Sequence, residues 1–125
     1  MKQNVLLIIM SLLSILLMSF HVTDDIIYGF EKGGTFDLIM VPILVIWLYG
    51  TLVIPGRRSG YIIILVASLL GLAAPVLHMR GTGVGGEIAQ SSGAFFFIWT
   101  LFAIGVTSLF SVVLSVKGLW SMRRP

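Results

Sequence analysis

The chain has 125 residues, 58% of them hydrophobic and 10% charged, with a mean hydropathy of +1.08. A soluble domain carries about 45–50% apolar and about 25% charged residues, so an ordinary water-soluble globule is excluded. The formal net charge is +3, with no basic tract interleaved with aromatics to suggest nucleic acid. Cysteine is absent, which excludes thiol catalysis, disulfides and thiolate metal sites.

In chain order, the charge-free runs are Gln3 to Phe20 (18 residues), Leu38 to Gly56 (19), Ser59 to Met79 (21) and Ile88 to Val116 (29). A helix crossing a bilayer needs about 20 predominantly apolar residues. The expected fold is therefore an all-α integral membrane protein, a single domain over residues 1–125 built as a four-transmembrane-helix bundle. Its spans are expected near 4–22, 37–55, 60–79 and 93–117. Outer loops fall near 23–36 and 80–92, and a cytoplasmic turn at 56–59. The first run follows Lys2 like a secretory signal, but Met18-Ser19-Phe20-His21 lacks the small-x-small cleavage pattern, so it reads as a retained span. Asp37 or Thr35, Ser59, and Ser91 or Ser92 are the candidate caps of the second, third and fourth helices.

Lys2, Arg57, Arg58, Lys117, Arg123 and Arg124 lie on one side of this arrangement, and Lys32 and Arg80 on the other. The positive-inside rule then places both the N-terminus and the C-terminus in the cytoplasm. The five acids, Asp24, Asp25, Glu31, Asp37 and Glu87, all fall outside. Tyr61 and Trp120 are expected at the inner interface and Tyr28 at the outer one, where amphipathic rings anchor. The expected location is a cell membrane, multi-pass.

Each span carries a seam of small or polar residues. Ser11, Ser14, Met18, His21 and Asp25 recur at 3, 4, 3 and 4 on the first. Ser68, Gly71, Pro75 and His78 mark the third, and Thr100, Ala103, Thr107, Ser111 and Ser115 the fourth. Such residues let helix backbones approach in lipid, and packing accounts for them. Trp47, near the middle of the second run, needs a hydrogen-bond partner for its indole, for which a hydroxyl of the fourth helix is the expectation. Phe95, Phe96, Phe97 and Trp99 read as lipid-facing or belt aromatics.

The chemistry gathers at the outer ends. His21 lies 18 residues beyond Gln3 and His78 19 residues beyond Ser59, so the two reach nearly the same depth. Asp24 and Asp25 follow His21 at i+3 and i+4, on its own face if the helix continues. Arg80 and Glu87 complete a candidate polar cluster of His21, Asp24, Asp25, His78, Arg80 and Glu87. Within it, His21, His78 and Asp25 are the candidate ligands for a divalent metal; a proton-accepting site is the other use of the same groups. An interfacial cluster produced by topology alone is the plain alternative. A haem between the two histidines has weaker support. The glycine-rich stretch from Arg80 to Gly86 lacks the strand context and Gly-Lys-Ser/Thr ending of a phosphate cradle. Arg80 is placed to pair with Glu87 or Asp24 or, if that loop acts as a lid, to meet an anionic ligand.

No ionisable residue lies mid-span, so catalytic residues are not assigned and no cofactor beyond a metal is expected. Three functional classes remain. The first, which requires the least special chemistry and is the leading expectation, is a non-enzymatic auxiliary or scaffold subunit acting through helix faces and outer loops. The second is a metal- or proton-binding protein or small transport component using the outer cluster, and the third a lipid-acting enzyme with the cluster as acid and base. The expected partners are the lipid bilayer and a membrane protein or second copy of the chain, without nucleic acid or nucleotide.

Overall fold

The computed structural model describes residues 2–28, 35–79 and 92–123, with side chains at 35–37, 79 and 92–94 left undescribed. These residues form four helices and no strand: α1 (Lys2–Tyr28), α2 (Thr35–Leu52), α3 (Arg58–Met79) and α4 (Ser92–Ser121). In an apolar medium every backbone polar group must be satisfied internally, and a helix does this within one segment. Three of the four, α1, α3 and α4, are long and apolar enough to cross a membrane. The apolar part of α2, Leu38–Leu52, is shorter.

α1 continues past the stretch expected to span, carrying Asp24 and Asp25 on helix, where a loop was expected. α2 ends at Leu52, and the chain turns through 53–57 with Gly56 at φ +74°, a left-handed conformation that only glycine adopts without strain. The Tyr61 amide already bonds the Arg57 carbonyl at 3.0 Å, so Ser59 lies inside the first turn of α3 and does not cap it. Gly60 fits because the Ile54 carbonyl oxygen occupies the place of a Cβ.

The helices form a ring in which α4 packs closely on both α1 and α3, while α2 packs on α1 and α3. Side-chain bonds give the directions. Gln3 donates to the Leu114 carbonyl at 3.2 Å and Ser14 to Thr107 at 2.8 Å, so α1 and α4 are antiparallel. Tyr61 donates to Asn4 at 2.5 Å, and His21 meets His78 further along, so α1 and α3 run parallel.

The polarity of the bundle is inverted relative to a soluble protein. Ser11, Ser14, Thr51, Ser68, Ser108, Ser111 and Ser115 are fully buried, whereas Phe95 is 75% exposed, Ile27 69% and Leu77 67%. Lipid is the solvent that suits such a surface. Three apolar or polar layers stack inside: Leu7, Trp47, Tyr61 and Ile64 toward the Asn4 end of α1, a hydroxyl layer beside them, and Met18, Ala74, Leu101 and Ile104 toward the His21 end.

Two sequence expectations change here. Trp47 donates its indole N–H to Ser11 of α1 at 2.9 Å, not to α4, because α2 packs against α1 and α3. Ser11 in turn donates to Thr51 at 2.7 Å, and Thr51 to the Trp47 carbonyl at 2.8 Å, closing a circuit. Tyr61 is 5% exposed with its ring over Gly118, so it is a core residue. Trp120 and Tyr28 stay exposed at 61% and 58%.

Candidate functional site

The seam of α1 carries Met18, His21 and Asp25 into the interior in turn, and all three are buried. On α3, Pro75 stands one turn before His78 and packs at Gly105 of α4, which brings the end of α3 against α4. The result is the juxtaposition on which the candidate site depends. His21 Nε2 and His78 Nε2 lie 3.4 Å apart, with ring centroids 5.1 Å apart and planes at 61°.

The remaining ring nitrogens are already committed. His78 Nδ1 lies 3.0 Å from the Ala74 carbonyl oxygen, which can only accept, so Nδ1 carries the proton. The Thr100 hydroxyl donates to the Phe97 carbonyl at 2.9 Å, so toward His21 Nδ1, at 3.5 Å, its oxygen is the acceptor. A neutral imidazole has one N–H and one lone pair. In the tautomer with both protons on Nδ1, the two Nε2 atoms present lone pairs to each other, and it is this form that can receive a cation between them. Phe97 closes the site from α4, its ring 4.3 Å from that of His21 and 5.7 Å from that of His78.

A cavity of about 240 Å³ adjoins the pair between α1, α2 and α3, lined by Met18, His21, Asp25, Met40 and His78 among others. Asp25 reaches the same cavity but lies a full turn beyond His21, about 6 Å along the axis. Among the described residues no three His, Asp or Glu side chains converge on one metal position. The expected ligand triplet is thus two imidazoles brought together, with the carboxylate sharing their cavity. Asp24 is 7% exposed, and its buried Oδ2 has no hydrogen-bond partner among the described residues. Arg80 and Glu87, like Glu31, lie outside the described residues.

Four neighbours of the site were not assigned to it from sequence. Phe97 was expected among the belt aromatics, yet it is 1% exposed, while Phe95, Phe96 and Trp99 face outward. Its place three residues before Thr100, a seam residue, was the available signal. Thr100 and Met18 were read as packing residues only. Met40 had no signal, because nothing in α2 says which side meets α1 and α3.

Comparison with known proteins adds no relative: no family model, curated protein or solved structure matches the chain.

Proposed function

We propose that this is a four-span protein of the cell membrane, with both termini cytoplasmic, that holds a metal cation at the His21–His78 pair as a small binding or transport component. The observation that carries this reading is the 3.4 Å separation of the two Nε2 atoms, with an oxygen near each Nδ1 that suits the tautomer able to give both Nε2 lone pairs to a cation. Two nitrogens bound at about 2.0–2.1 Å to one tetrahedral metal stand about 3.3–3.4 Å apart. That spacing is long for an N–H donor meeting its acceptor, where about 2.7–3.2 Å is usual.

The topology is supported by direction. α1 and α3 run parallel, so a chain that crosses in α1 and again in α3 must return between Tyr28 and Arg58, and α2 is the helix between them. A span of this length is accommodated by local thinning of the bilayer at modest cost. The basic residues at Lys2, Arg57, Arg58, Lys117 and Arg123 then lie inside, and the imidazole pair toward the outer face.

The test is elemental analysis of gently solubilised full-length protein. Wild type is expected to retain about one metal ion per site, and His21→Ala and His78→Ala to lose it. Metal-free wild type, together with divalent-ion binding unchanged in both variants, overturns the reading. A stoichiometric larger partner co-purifying with metal-free protein points instead to an auxiliary subunit.

A further inference from the structure

We propose that the cavity beside the imidazole pair is a mixed nitrogen–thioether site for a soft monovalent cation of the copper(I) class, with Met18 and Met40 as its sulfur ligands; this rests on the metal-binding reading of the pair.

The donors come from three helices. Met18 lies three residues before His21 on α1, on the same inward face, and is 4% exposed. Met40, on α2, packs against the apolar cluster that contains Met18 and Ala74. Both methionines line the cavity that His21 and His78 line. A methionine side chain is unbranched, with three rotatable bonds and a polarisable sulfur, so its sulfur adjusts within a space of about 240 Å³.

The identity of the donors selects the cation. Thioethers are soft ligands that favour copper(I), whereas hard divalent ions such as magnesium or calcium take oxygen. Imidazole binds either class, so the sulfurs decide. The surroundings act in the same direction. The walls beyond the donors are Val22, Ile43, Leu70, Ala74 and Leu77, with Asp25 as the one acidic residue of the lining, and the cost of bringing an ion into an apolar interior rises with its charge. One positive charge, held by neutral soft donors beside a single acidic residue, is the cheaper occupant. The arrangement also has a mechanical consequence. α2 packs only on α1 and α3 among the described elements, and a cation held by Met40 ties it to both.

The experiment uses full-length protein in detergent, with silver(I) as a redox-inert probe of the copper(I) class and zinc(II) as the borderline divalent competitor. Wild type is expected to bind one silver ion in preference to zinc. Met18→Leu and Met40→Leu, which nearly conserve volume, are expected to weaken silver binding by about tenfold or more each and to leave zinc unchanged. X-ray absorption at the silver edge of wild type provides a readout independent of any variant and is expected to show sulfur neighbours. Zinc binding equal to or tighter than silver, with nitrogen and oxygen neighbours only and no effect of either leucine, overturns the thioether site while leaving the imidazole pair as a metal ligand. No binding of either ion, or binding insensitive to His21→Ala and His78→Ala, overturns both.

Discussion

His21 and His78 are separated by 57 residues and meet nitrogen to nitrogen at 3.4 Å, and the same offset of 57 joins Asn4 to Tyr61 at the opposite end of the helices. Two contacts with one offset mean that α1 and α3 run parallel and in register from Asn4 to His21, about 25 Å. Neither helix is free to slip without breaking both contacts. The imidazole pair is therefore placed by the frame of the bundle as well as by its own turn.

A bound cation should stabilise the bundle only where both imidazoles are present. At a free metal concentration one hundred times the dissociation constant, a ligand that binds only the folded state adds about 2.7 kcal/mol. Thermal unfolding in detergent should show a metal-dependent rise for wild type and none for His21→Ala or His78→Ala. An equal rise in all three would place the metal elsewhere.

The absence of cysteine makes single-cysteine labelling clean. Thr35→Cys, at the start of α2, should react in intact cells with a membrane-impermeant thiol reagent. Ser59→Cys, exposed at the start of α3, should react only after the membrane is opened. Labelling of both from one side would show that α2 does not cross.

The hydroxyl circuit around Trp47 supports α2. Trp47→Phe removes the donor to Ser11 and should cost about 1 kcal/mol, the usual net value of such a bond and similar to polar contacts within membrane proteins. In a Ser11→Ala background the same change should cost clearly less, because the indole has already lost its acceptor. A double-mutant cycle by detergent unfolding reads the difference, and strict additivity would mean that the bond contributes nothing.

Close approach of α3 to its neighbours should be sensitive to added methyl groups, in two distinguishable ways. A Cβ at Gly71 meets the Ser108 hydroxyl, whereas one at Gly60 meets the Ile54 carbonyl oxygen of the backbone. Both Gly71→Ala and Gly60→Ala should destabilise, by about 1–3 kcal/mol for overpacking. Ser108→Ala should recover part of the loss at Gly71, since the Ser108 Cβ stands 3.3 Å away. No side-chain change can relieve the clash at Gly60. Unfolding midpoints of Gly71→Ala, Gly60→Ala and the Gly71→Ala/Ser108→Ala double variant check this, and failure of Ser108→Ala to help would place the strain elsewhere.

Much was legible in the sequence because a bilayer constrains length and polarity so strongly. The charge-free runs marked the helices, and the seam Ser11, Ser14, Met18, His21 and Asp25 is buried along its whole length. Counting residues along two helices placed His21 and His78 at one depth, since helical rise is fixed. Rotation about a helix axis is different, because it is set by neighbours and not by the helix's own sequence. α2 is apolar nearly all round, with Leu38, Ile39, Val41, Val45, Ile46 and Leu48 exposed, so nothing in its periodicity indicated that Trp47 would turn to Ser11 or Met40 to the cavity. Phe97 among three consecutive phenylalanines was equally ambiguous. The sequence by itself determined an all-helical, membrane-type chain with both histidines at one depth. Only the tertiary structure decided which faces meet, and so which of the residues at that depth surround the pair.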